Sequence, residues 1–96
     1  MSLLETYKST QEYITNYIRS KTSFYFDVII CDNFHTVMIY VISEYDMPFT
    51  HLMCRLKELK INFMTDYTWG HIEEYIVLTK DEYLKLYVLT KLKGAL

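Results

Sequence analysis

The fold class predicted for this chain is α+β, in the order α-ββ-α-ββ-α, with a four-stranded antiparallel sheet, helices on one face and a further C-terminal helix. Three observations predict it. Apolar residues recur at helical three-to-four spacing in three separate stretches. The two stretches between them are rich in β-branched and aromatic residues, and each is divided by turn-forming residues. The chain is 96 residues long, 51% hydrophobic and 23% charged, with two Gly and one Pro. That is a globular composition sized for a single domain, 1–96, around one core.

Residues 2–20 predict the first helix. Ser2 and Glu5 have capping-box spacing, and Leu3, Leu4, Tyr7, Ile14, Tyr17 and Ile18 supply an apolar stripe. Ser9, Thr10 and Gln11 interrupt it. From Ser23 to Ser43 the pattern is that of a β-hairpin, with Asp32-Asn33 suited to a type I′ turn. A two-residue loop there pairs Cys31 with Phe34 and gathers Phe24, Phe26, Val28, Ile30, Val37, Ile39 and Val41 on one face. Tyr25, Asp27, Ile29, Cys31, Thr36, Met38 and Tyr40 then share the other.

Pro48, with Asp46 nearby as a cap, opens the second helix, whose apolar stripe is Phe49, Leu52, Met53, Leu56 and Leu59. A second hairpin spans Ile61 to Thr79 and turns at Trp69-Gly70-His71. Its parity puts Phe63, Tyr67, Trp69, Ile72, Ile76 and Leu78 together, opposite Asn62, Met64, Asp66, Thr68, Glu73, Tyr75 and Val77. The third helix is bracketed by a Thr79–Glu82 capping box and Gly94, with Leu84, Tyr87, Val88 and Leu92 as its stripe, broadened by Tyr83, Leu86 and Leu89.

Two hairpins, each preceded by a helix, correspond to a circularly permuted ferredoxin-like plait. The face richer in Phe, Val and Ile is expected beneath the first two helices. The third helix is then an addition, free to cover the second face, an edge strand or a partner chain. The second face leaves Tyr25, Ile29, Met38, Tyr40, Met64, Tyr75 and Val77 bare, which points to a homodimer.

A formal net charge of −2 gives no general attraction to phosphate backbones. The start of the chain has no signal-peptide pattern, and no apolar run is long enough to span a bilayer, so a cytoplasmic protein without membrane association is expected. Two cysteines are too few for a disulfide framework. Gly, Ala, Arg and Pro are scarce while Tyr, Ile and Lys abound, the skew of AT-rich coding sequence common in phages and mobile elements.

Four groups of residues carry candidate chemistry. Cys31, His35, His51 and Cys54 supply four zinc-ligand side chains, but in no common finger spacing, and the hairpin register separates the first two across the sheet. His51 and Cys54 lie one helical turn apart, as a nucleophile and base would, although Cys54 reads as a packed thiol beside the apolar stripe. Asp66, Glu73 and Glu74 bracket the second turn without a second acidic element to complete a cation cage. Phosphate-loop, dinucleotide, nucleophile-elbow and zinc-protease motifs are all missing, so no enzyme activity and no cofactor is expected.

Arg55, Lys57, Lys60, Lys91 and Lys93 form the one candidate phosphate-binding set, the basis of an alternative as a nucleic-acid-binding accessory protein. The leading expectation rests instead on ten tyrosines, a residue type that gives large contact area at small entropic cost. A small non-enzymatic interaction module is expected, a virus- or mobile-element-encoded modulator or inhibitor of a host protein. Its partner-binding residues are Tyr25, Tyr40, Asp66, Trp69, Glu73 and Tyr75.

Overall fold

A computed structural model of the protein describes residues 2–68 and 74–92. The expected second turn, with Trp69, Gly70, His71, Ile72 and Glu73, and the expected Lys93 and Gly94 terminus lie outside those residues. The elements are α1 (Leu3–Lys21), β1 (Asp27–Asp32), β2 (Thr36–Ile42), α2 (Met47–Glu58), β3 (Met64–Tyr67), β4 (Glu74–Thr79) and α3 (Lys80–Leu92). The strands form one antiparallel sheet in the order β1-β2-β4-β3. That order results when the first strand of a β-α-β-β-α-β plait is moved to its end, so the permuted topology holds.

Strand alternation sorts the side chains as the sequence pattern requires. Val28, Val37, Ile39, Val41, Ile76 and Leu78 are all buried on one face. Against them pack Ile14 and Ile18 of α1, Leu52 and Leu56 of α2, and Tyr83 and Leu86 of α3, so all three helices share that face. The third helix is no peripheral addition. Tyr83 and Leu86 are completely buried, whereas Leu84, Val88 and Leu92 of the expected stripe are 40%, 51% and 76% exposed.

A polar anchor explains that rotation of α3. The Tyr83 hydroxyl lies 2.5 Å from Thr6 Oγ1 and 3.0 Å from Thr10 Oγ1, and both threonines are buried in α1. Thr6 donates to the Leu3 carbonyl at 2.6 Å, which leaves its oxygen to accept the Tyr83 proton. Thr10 interrupts the apolar stripe of α1 because it is part of the docking seat for α3. Beside this seat the Tyr7 and Tyr83 rings meet edge to face, with centroids 5.6 Å apart.

Local signals fare unevenly. The first hairpin turns at Phe34-His35, two residues beyond Asp32-Asn33, so Cys31 pairs with Met38 instead of Phe34. Asn33 decides this: its Oδ1 accepts the amides of His35 and Thr36, each at 2.9 Å, and the Thr36 hydroxyl. Neither Phe34 nor His35 has positive φ, so the turn is not type I′. An even register shift leaves every residue on its expected face. Phe24 is the exception: it precedes β1, is 40% exposed and stacks on Tyr45.

Of the two capping boxes, Ser2 makes no side-chain cap, while Thr79 Oγ1 accepts the Glu82 amide at 3.1 Å. The Glu82 carboxylate turns instead to the Asn62 amide at 3.1 Å, fastening α3 to the segment before β3. The α2 terminus is a Schellman closure, with Ile61 N–H donating to the Leu56 carbonyl and Lys60 N–H to that of Lys57. Lys60 takes the left-handed position at φ 61°, where glycine is usual.

Candidate functional site

With every helix on one side, the opposite sheet face is uncovered by any described element. The strand register writes its composition. Cys31, Met38, Val77 and Met64 form one row across all four strands, and Ile29, Tyr40, Tyr75 and Asp66 form the next. Asp27 and Ile42 pair beyond them. Ile29 and Met64, towards the two edges, are 47% and 73% exposed, while the central residues shield one another and are half-buried. The equivalent positions on the helical face are fully buried.

At the centre, the Tyr40 and Tyr75 rings stack with centroids 4.6 Å apart and planes 26° from parallel. Both hydroxyls are held above the usual phenol pKa, chiefly by burial; for Tyr75 the Asp66 carboxylate is the next cause. Burial and the neighbouring Asp32 likewise push the Cys31 thiol up, which keeps it protonated and unreactive at neutral pH. The face carries Asp27 and Asp66 and, among the described residues, no Lys or Arg.

No protein-family model, curated protein or solved structure matches the chain. Its function has to be argued from these side chains.

Of the expected docking residues, Tyr40, Tyr75 and Asp66 are brought together on this face. Tyr25 stands just before β1, its hydroxyl donating to Asp27 Oδ2 at 3.1 Å. Trp69 and Glu73 lie outside the described residues. Ile42 completes the Thr36, Met38, Tyr40 alternation and is legible from it, whereas Tyr45 lies past the strand, where no periodicity marks it.

The other candidate sets are dispersed. Cys31 and His35 belong to the first hairpin, while His51 and Cys54 ride on α2 across the sheet. Among the described residues no three His, Cys, Asp or Glu side chains gather as a metal would need. Cys54 is exposed, not the packed thiol its neighbours suggest. In the basic set, Arg55 is occupied internally: its Nε donates to the Tyr13 hydroxyl at 3.0 Å and its guanidinium lies over the Tyr17 ring. Lys57 and Lys60 flank the α2 terminus, and Lys91 sits on α3 over the Tyr87 ring. Lys93 is outside the described residues. No helix of the described residues is long and apolar enough to cross a membrane.

Proposed function

We propose that this chain is a small non-enzymatic protein-interaction module that docks a partner protein on its open sheet face. The observation that supports this reading is the pair of side-chain rows, largely apolar, running across all four strands with nothing described above them. A contiguous apolar surface of that kind, edged by carboxylates, is characteristic of a protein-docking site. Tyr40 and Tyr75 are the hot-spot residues, rigid through their mutual stacking and wide enough to anchor a partner. Asp27 and Asp66 oppose phosphate, and Arg55 is not free to meet it, so nucleic acid is the weaker occupant. The same aspartates favour a partner other than a second copy, because face-to-face copies would set carboxylate against carboxylate. The compositional skew fits a virus- or mobile-element-encoded modulator of a host protein.

The test is the double substitution Tyr40→Ala with Tyr75→Ala, used as bait in affinity capture from cells of the native host alongside the unaltered chain. A protein retained by the unaltered chain and lost by the variant, with unchanged far-ultraviolet circular dichroism, supports the proposal. An identical set of captured proteins refutes it.

A further inference from the structure

The open face is small for the task assigned to it. Four strands at about 4.8 Å spacing, each presenting about five residues, cover roughly 300 Å² in plan. A standard interface buries about 800 Å² on each partner. A docked partner must therefore reach past the sheet onto its rim, and at one end the rim holds a built cleft.

The cleft, about 390 Å³, is lined by Tyr25, Ile42, Ser43, Glu44 and Tyr45. Ile42 belongs to it and to the open face alike, as the cross-strand partner of Asp27. Its walls are fixed before any ligand arrives. The Ser43 hydroxyl donates to the Tyr25 carbonyl at 2.7 Å and accepts the Tyr45 amide at 3.2 Å, so one side chain ties both aromatic walls together. Tyr45 is stacked on Phe24 with ring centroids 4.2 Å apart and planes 15° from parallel. Tyr25 is 76% exposed but held to Asp27 through its hydroxyl. Two aromatic rings, an aliphatic floor, and the carboxylates of Glu44 and Asp27 therefore converge on one opening. The nearest cation, Arg19, lines the adjoining depression on the far side of Tyr25, with its guanidinium over the Phe26 ring.

We propose that this tyrosine cleft receives an arginine or lysine side chain of the partner protein whose apolar surface lies on the open face. The inference rests on the docking function proposed above and specifies the partner's chemistry. Aromatic faces attract a cation, the two carboxylates neutralise it, and Ile42 accepts its aliphatic stem. The charge of the open face is of the matching sign, since Asp27 and Asp66 stand on it with no described Lys or Arg. A partner with an apolar centre and a cationic rim fits both parts of the surface.

The test uses the isolated chain and amino-acid probes. Acetyl-arginine methylamide and, separately, acetyl-norleucine methylamide are titrated while backbone amide resonances are followed by NMR. The expected result is saturable shifts for Tyr25, Asp27 and Ile42 to Tyr45 with the arginine probe, none there with norleucine, and binding about tenfold weaker in Asp27→Asn/Glu44→Gln. These two substitutions are on exposed carboxylates and leave the core untouched. The proposal is overturned if norleucine shifts the same amides equally, if arginine shifts none of them, or if the doubly substituted chain binds as well. Its failure is distinguishable from failure of the docking function, which is judged separately by the Tyr40 and Tyr75 capture experiment.

Discussion

Two buried phenols a ring's width apart should respond oppositely to losing their hydroxyls. Tyr83 Oη is bonded to Thr6 and Thr10, whereas Tyr7 Oη is buried and makes no hydrogen bond of good geometry among the described residues. Tyr83→Phe removes two hydrogen bonds, each worth about 0.5–1.5 kcal/mol net. Both threonines keep backbone acceptors, at Leu3 and Thr6 respectively, so no orphaned group adds to the loss. The expected destabilisation is about 1–2 kcal/mol. Tyr7→Phe removes an unpaired buried hydroxyl, whose desolvation costs about 1–3 kcal/mol, so that variant should be equal to the parent or more stable by about 1 kcal/mol.

The two tyrosines also differ at high pH. Burial, followed by the nearby Asp32 carboxylate, pushes Tyr7 up to about 12 from a usual phenol value of 10.0. The folded form thus keeps a proton that the unfolded chain has lost. Stability from this group is complete below pH 10 and falls as pH rises towards 12, and Tyr7→Phe should make that decline shallower. Urea titration followed by circular dichroism, at neutral pH and along an alkaline series, measures both effects, with constant m-values as the check on two-state behaviour. If both substitutions destabilise at neutral pH by the same amount, the assignment of the hydrogen-bond network is wrong. The reason that α3 stays on the helical side, leaving the far face open, is then lost as well.

Two further outcomes test the faces and the α2 terminus. Ile39→Ala, on the helical face, should lose about 2–5 kcal/mol in the same urea assay, and Ile29→Ala, on the adjoining strand but the open face, less than about 1 kcal/mol; similar losses would mean that the open face is covered. Lys60→Gly should raise stability by about 0.5–1 kcal/mol by relieving the left-handed backbone at φ 61°, and a loss would show that the lysine side chain contributes more than its conformation costs.

Parity carried most of what the sequence disclosed. Each strand face follows from a period of two, which survives a register shift by an even number of residues; the turn at Phe34-His35 therefore moved without displacing Val28 or Tyr40 to the wrong side. The plait order followed from the sequence of elements for the same reason. Helix orientation was less legible. In α3, Leu84, Val88 and Leu92 satisfy apolar spacing as well as Tyr83 and Leu86 do, and periodicity alone has no means of choosing between them. The choice was made by a hydrogen bond from Tyr83 to residues more than seventy positions away, on a stretch of α1 whose polarity reads as an interruption. The tyrosine cleft was hidden for a related reason: Tyr25, Ser43 and Tyr45 meet only because a loop on each side of the hairpin closes through one serine.

The same polar anchor links stability to function. A helix that follows the last strand can pack on either side of a four-stranded sheet, and an α3 with its apolar stripe at Leu84, Val88 and Leu92 would suit the open face well, covering Tyr40 and Tyr75. The Thr6–Tyr83–Thr10 bonds oppose that alternative, because burying Tyr83 on the far face would strand its hydroxyl and leave the two threonines facing an apolar gap. Hydrogen bonding contributes little net energy when satisfied and costs more when broken, so such a network works chiefly by excluding the wrong packing. An open tyrosine face is thus a consequence of two threonines placed in α1, residues that touch no partner and yet decide that a partner has somewhere to bind.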